Sequence, residues 1–199
     1  IAPGVAKHEE EIVLAPGAEP AADPNLVLRV AVAAAEFGLP IAPGTLRNLK
    51  KCPIGDRNWT DESRELFIRL LASGPALLNV WEDIDFIDVP GKLIPEWLGV
   101  RNRPSASAAH RYTIDRHMVE VVTRLGRETP SGGRYDDRHY EALLLAGILH
   151  DIGKRPGVAN HAAEGARHAT VVVERMGFDR DIVRWVTLLV REHLSLSEF

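Results

Sequence analysis

Ala142-Leu143-Leu144-Leu145-Ala146-Gly147-Ile148-Leu149-His150-Asp151-Ile152-Gly153-Lys154 decides how the second half of this 199-residue chain folds. The run Ala142–Leu149 is apolar on every side, and a helix of that kind belongs inside a core. The pattern predicts a central buried helix from about His139 to Asp151. At its end an imidazole and a carboxylate, His150 and Asp151, stand at the polar mouth of that core. Burying such a pair without a partner is costly. A divalent cation satisfies both groups, because neutral imidazole and carboxylate are natural ligands for one. A helix end with a favourable histidine and a hydrogen-bonded aspartate satisfies them as well.

Three more helical segments surround this one. The first covers about Thr113 to Leu125, with Ile114, Met118, Val121, Val122 and Leu125 on one stripe and Gly126 as its stop. A polar, Gly-rich loop (Thr129–Asp137) follows it. Another helix begins near Asn160, a fair N-cap, and ends at Gly177. The last runs from about Asp179 to Leu194. Each of them carries a histidine toward the interior. His117 lies three residues after Ile114 and four before Val121, so it points into the core. His161 sits just inside the start of its helix. Trp185, Leu189 and His193 recur every four residues, so His193 extends an apolar stripe. Separate structural reasons for His117, His150, His161 and His193 are harder to sustain together than one metal site. His8, His110, His139 and His168 stay outside the candidate set, and the four tryptophans are read as packing.

Upstream, residues 25–104 form a smaller helical region. Asp23-Pro24 opens a helix with Leu26, Val30, Ala33 and Phe37 at helical spacing and Gly38 as its stop. Gly44-Thr45 starts a short second helix. Thr60 caps a third, running to about Ala72, with Asp61 and Glu62 where the helix dipole favours negative charge. Gly74-Pro75 breaks it and starts a fourth through Trp81, with the acidic run Glu82–Asp85 as its solvated end. Pro90-Gly91 and Pro95 punctuate a turn-rich connector up to Pro104. Residues 1–24, rich in Pro, Gly, Ala and acid, read as an irregular linker in which Ile12–Leu14 could form a short edge strand. The expected fold is all-α: a helical bundle over 105–199, preceded by the helical region.

Composition bounds the function. The chain is 45% hydrophobic and 26% charged, ordinary for a globular protein and too apolar for a disordered one. With 24 basic and 28 acidic residues its net charge of -4 argues against a nucleic-acid partner. The single cysteine, Cys52, excludes an intrachain disulfide and a Cys-rich zinc site, and it points to a reducing cytoplasmic setting. No apolar run approaches the ~18 residues of a membrane span. Ile1 is not an initiator methionine, so the expectation is a piece of a longer protein.

His117 followed by His150-Asp151 resembles the HD phosphohydrolase superfamily, an all-helical fold named for its His…His-Asp…Asp metal ligands. The surrounding motifs are more specific. His110-Arg111-Tyr112-Thr113-Ile114-Asp115-Arg116-His117 looks like the HxYTxDxH stretch of the bacterial PII uridylyltransferase/uridylyl-removing enzyme family. Leu149–Lys154, His161-x3-Gly165 and Arg191–Leu194 continue in that family's order. Ile94-Pro95-Glu96-Trp97 resembles the segment preceding its HD domain. The likeness covers about Ser73–Ser197 well and the earlier helices weakly.

That resemblance implies a metal-dependent phosphodiesterase that removes UMP or AMP from a tyrosine of the PII protein. The two other readings are an HD phosphohydrolase of free or cyclic nucleotides, and a non-catalytic HD signalling module. The resemblance further implies an N-terminal nucleotidyltransferase domain and C-terminal glutamine-sensing ACT domains. Neither is visible here: Asp83-Ile84-Asp85 and Asp179-Arg180-Asp181 lack the Gly-Ser that a nucleotidyltransferase places upstream. In this picture Asp151 bridges two metals about 3.5–4 Å apart. His117 and His150 hold one metal, and His161 and His193 hold the other. Lys154 neutralises charge developing on the phosphoryl group, or is a surface lysine. The family uses Mg²⁺ or Mn²⁺, while the donor types also allow Zn²⁺ or Fe. The superfamily's final Asp ligand has no counterpart after His193. Glu198 is its poor substitute, and the HD domain reads as incomplete at its C-terminus.

Overall fold

The computed structural model describes residues 1–55, 59–104, 112–126 and 137–195. His110, Arg111, Glu198 and most of the Gly-rich loop lie outside these residues. The chain divides into two compact units, Ile1–Pro95 and Glu96–Phe199. The boundary thus falls upstream of residue 105, where the change in sequence pattern had put it. Glu96 belongs to the second unit because its carboxylate holds Arg175 at 2.6 Å and its carbonyl accepts from Arg155.

The first unit is mostly helical, as expected, but its opening segment is no linker. β1 (Val5–His8) and β2 (Glu11–Leu14) form an antiparallel hairpin with Val5 opposite Leu14 and His8 opposite Glu11. Ile12 is fully buried against α1 (Leu26–Phe37), which is why these residues are ordered. α1 ends where Gly38 takes the left-handed conformation and donates to the Ala34 and Ala35 carbonyls. α2 spans Pro43–Leu49. α3 (Asp61–Leu71) starts with a reciprocal capping box between Thr60 and Ser63. α4 covers Ala76–Phe86 and does not stop at Trp81. Leu77, Val80, Trp81 and Ile84 share its buried face, and the helix runs on through Glu82, Asp83 and Asp85, which are exposed or half-buried around it. The expected connector holds a short helix, α5 (Val89–Leu93), and a 3₁₀ turn (Pro95–Gly99). Pro90 is compatible with a first helical turn, where its missing N–H costs nothing.

A polar cluster ties the first unit together. Arg29 is buried on α1, and its guanidinium donates to the Pro3 carbonyl and pairs with Asp23 and Glu62. Asn25 joins the same cluster through Glu62 and Ser63. The hairpin, the start of α1 and the start of α3 therefore share one set of partners.

The second unit is the expected helical bundle. α6 spans Ile114–Leu125, α7 Asp137–Leu149, α8 His161–Arg175 and α9 Arg180–Arg191. α7 packs on the other three helices, and α8 packs closely along α9. Leu144, Leu145, Ile148 and Leu149 are fully buried, which confirms α7 as the central helix. Asn160 and Asp179 cap α8 and α9 with side-chain acceptors. On α6 the buried stripe is Ile114, Met118, Val119 and Val122, with Val121 and Leu125 only half-buried. Among the described residues no helix is long and apolar enough to cross a membrane.

Candidate metal centre

The site is built at the ends of helices. α7 stops at Leu149, and His150 and Asp151 follow in a turn. The last carbonyls of a helix lack intrahelical partners. The His150 ring turns back, and its Nδ1–H donates to the Gly147 carbonyl at 2.8 Å. α9 repeats the device: His193 lies just past its end and donates from Nδ1 to the Val190 carbonyl at 2.6 Å. Both rings are thereby oriented with Nε2 free to face a ligand, the arrangement that second-shell carbonyls give to metal-binding histidines.

Both Nε2 atoms face Asp151, which is only 1% exposed. His150 Nε2 lies 3.4 Å from Oδ2, and His117 Nε2 on α6 lies 3.9 Å from the same oxygen. On the other oxygen, Oδ1, His193 Nε2 stands at 3.4 Å and His161 Nε2 at 3.9 Å. Two ligand sets result: His117, His150 and Asp151, and Asp151, His161 and His193, with all ligand atoms of each within 4.8 Å of one another. All five residues predicted as ligands therefore meet at one carboxylate. Lys154, the predicted charge-neutralising residue, is there as well and donates to Asp151 Oδ2 at 2.7 Å.

Two glycines let the segments meet. A Cβ on Gly153 would lie 2.3 Å from Gly165 N and from the His161 carbonyl oxygen. A Cβ on Gly165 would press against Val190 and the His150 carbonyl at 3.3 and 3.4 Å. The turn after α7 and the first turns of α8 converge because Gly153 carries no side chain, and Gly165 adds a closer approach to the end of α9.

The electrostatics follow from this crowding. Burial pushes the Asp151 carboxyl up, but the His150 and His193 rings and the Lys154 ammonium outweigh it and hold the carboxyl far below the usual carboxylate range. Burial lowers His161, and the nearby Lys154 charge adds to that. For His193 burial also pulls downward, yet the Asp151 carboxylate outweighs it and the ring is raised. Oδ1 of Asp151 and Nε2 of His161 and His193 are buried without a hydrogen-bond partner. Nitrogen and oxygen donors, buried, converging and unsatisfied, fit a divalent cation.

No protein-family model matches the chain. Individual relatives do match. A bifunctional uridylyltransferase/uridylyl-removing enzyme of Streptomyces coelicolor is 39% identical over 201 aligned positions, covering 100% of this chain and 23% of the relative. One of Mycobacterium tuberculosis is 39% identical over 194 positions, 97% of this chain and 23% of the relative. One of Corynebacterium glutamicum is 32% identical over 179 positions, 88% and 25%. The chain is a homologue of one segment of the bifunctional uridylyltransferase/uridylyl-removing enzymes. It spans about a quarter of the length of these relatives.

His193 reaches the centre by a different row from the one read in the sequence. The buried row of α9 is Ile182, Val186 and Val190, and His193 continues it three residues on. Trp185 and Leu189 instead line an open apolar hollow with Leu143 and His139, whose ring stacks on Trp185 at 4.2 Å. His168 pairs with Glu164 at 3.0 Å and stays outside the ligand sets. The orienting carbonyls of Gly147 and Val190 were not anticipated. Their signal was present: each stands three residues before a histidine at a helix end.

Proposed function

We infer that the second unit is an HD-type metal-dependent phosphodiesterase domain, acting on a nucleotidylated tyrosine of the PII protein. The observation that carries this is the convergence of His117, His150, His161 and His193 on the two oxygens of one buried aspartate. The homology to enzymes named for uridylyl removal supports the substrate class. His117, His150 and Asp151 would hold one cation, and Asp151, His161 and His193 another. Bound there, Mg²⁺ or Mn²⁺ would supply Lewis acidity toward the phosphoryl oxygens. Hydrolysis adds water across the bond from phosphorus to the tyrosyl oxygen. The water oxygen joins phosphorus, the tyrosyl oxygen leaves with a proton, and UMP or AMP is released. The chain's own residues position this reaction: Gly147 and Val190 fix two rings, Asp151 anchors both ligand sets, and Lys154 brings positive charge to the phosphoryl group. Glutamine regulation and nucleotide attachment would belong to domains of the longer protein, working in the cytoplasm.

The test is nucleotide release from uridylylated PII by the full-length protein in Mn²⁺, beside its Asp151→Asn variant and with free nucleotides as competing substrates. Release by the parent and none by the variant supports the reading. Turnover of free nucleotides with PII left modified would move the assignment to another HD phosphohydrolase. Metal binding without turnover of either would leave a signalling module.

A further inference from the structure

The two oxygens of Asp151 are not equivalent. Oδ1 faces His161 and His193 and has no hydrogen-bond partner. Oδ2 faces His117 and His150 and also accepts a 2.7 Å hydrogen bond from Lys154. The Lys154 ammonium therefore lies against the oxygen that a cation held by His117 and His150 would need. Asp151 is almost wholly buried, so water screens little of the repulsion between an ammonium and a divalent ion on one oxygen. Among the described residues Lys154 is the lysine or arginine paired with Asp151, and it sits on Oδ2 alone.

We propose that the two ligand sets are unequal: the Oδ1 set of His161 and His193 is open to a divalent cation, whereas the Oδ2 set of His117 and His150 is held by the Lys154 ammonium, which an incoming cation must displace. This rests on the metal reading above. Lys154 is thus the counter-charge of the metal-free centre, and displacement from Asp151 frees its ammonium for another anion. The chain's own arrangement then links occupation of the second set to release of the positive charge that a phosphoryl group requires.

Calorimetric titration of the metal-free protein with Mn²⁺ tests this without reference to turnover. The wild type shows one tight and one weaker site. Lys154→Met tightens the weaker site by about tenfold, the scale of a typical coupling between sites, and moves the tight one much less, because the ammonium acts on His161 and His193 only from a distance. Lys154→Arg, which keeps the charge, keeps the wild-type pattern. His117→Ala removes the strongly Lys154-sensitive site, and His161→Ala removes the weakly sensitive one. Lys154→Gln with circular dichroism guards against misfolding of the Met variant. Lys154→Met and Lys154→Gln that fold yet leave both affinities unchanged, or weaken both, overturn the inference alone. Loss of the sensitive site in His161→Ala instead of His117→Ala does the same. Absence of Mn²⁺ binding in every variant overturns the metal reading itself.

Discussion

Gly153 and Gly165 touch through their backbones: a Cβ on Gly153 would stand 2.3 Å from Gly165 N. This contact sets the approach of α8 to the turn that carries Asp151, and with it the reach of His161. The two glycines differ in what they tolerate. For Gly153→Ala the obstacle is main chain on both sides, so backbone has to move, at a cost of about 1–3 kcal/mol. For Gly165→Ala the nearest contact is a Val190 methyl at 3.3 Å, and alanine in a helix regains about 1 kcal/mol over glycine. We expect Gly153→Ala to lower stability and metal affinity together, and Gly165→Ala to be near neutral. Urea unfolding and Mn²⁺ titration of both variants check this. Equal losses in the two would show that the close approach is not what assembles the site.

Metal should stabilise this fold directly. Three ligand atoms of the Oδ1 set are buried and unsatisfied, so a cation that fills it binds the native state far better than the unfolded chain. At about 100 times Kd the gain is about 2.7 kcal/mol. Thermal unfolding with Mn²⁺ and then with a chelator reads it as a reversible rise in Tm. Asp151→Asn, which removes the shared charge, should abolish the rise. A rise that survives in that variant would place the cation elsewhere.

What was legible in the sequence was what local chemistry encodes. Thr60 and Asn160 read as caps because a short acceptor precedes an apolar periodicity, and the structure shows those caps; it adds Asp179 as the cap of α9. The placement of His117 followed from helical spacing, and that of His150 from its position at the end of a run apolar on every side. The hairpin partner Val5–His8 was hidden because its turn puts Glu9 in the left-handed region, with neither glycine nor asparagine to announce it. The extension of α4 past Trp81 was obscured by acidic residues that flank a buried Ile84. His193 was placed at the core by the Trp185–Leu189 row, which faces an open hollow. The nearby row Ile182–Val186–Val190 is what carries it inward. A one-residue shift of row is invisible where both rows are apolar.

Arg29 should anchor the first unit. It is buried and holds Asp23, Glu62 and the Pro3 carbonyl, so it joins the hairpin to α1 and α3. Breaking a buried pair from one side costs about 3–5 kcal/mol when the remaining charge stays dry. Here the Glu62 side chain is 51% exposed and can return to water, which puts Arg29→Met nearer about 2 kcal/mol. Urea unfolding measures the loss. The hairpin should suffer first, so amide exchange at Ile12 should quicken more than exchange within α4. Uniform quickening would mean that Arg29 supports the whole unit and does not pin the hairpin in particular.

The pH dependence of stability should carry a signature from Glu96. Burial pushes its carboxyl up, but paired hydrogen bonds from Arg175 at 2.9 and 2.6 Å outweigh this and hold it below its ordinary value of 4.5. A carboxyl depressed in the folded state binds fewer protons there than in the unfolded chain. Its stabilising contribution is therefore complete above the unfolded value, and it fades as pH falls through the folded one. Between neutral pH and about pH 5 the contribution is flat. Below that range stability declines. Glu96→Gln keeps the shape and most of the hydrogen bonding but cannot titrate, so the variant should be less stable at pH 7 and should lose less on acidification. Denaturant unfolding of both proteins from pH 7 down to pH 3 follows the difference. Parallel curves over the whole range would show that the Glu96–Arg175 pair contributes geometry without charge, and that acid sensitivity arises at the buried Asp151 instead.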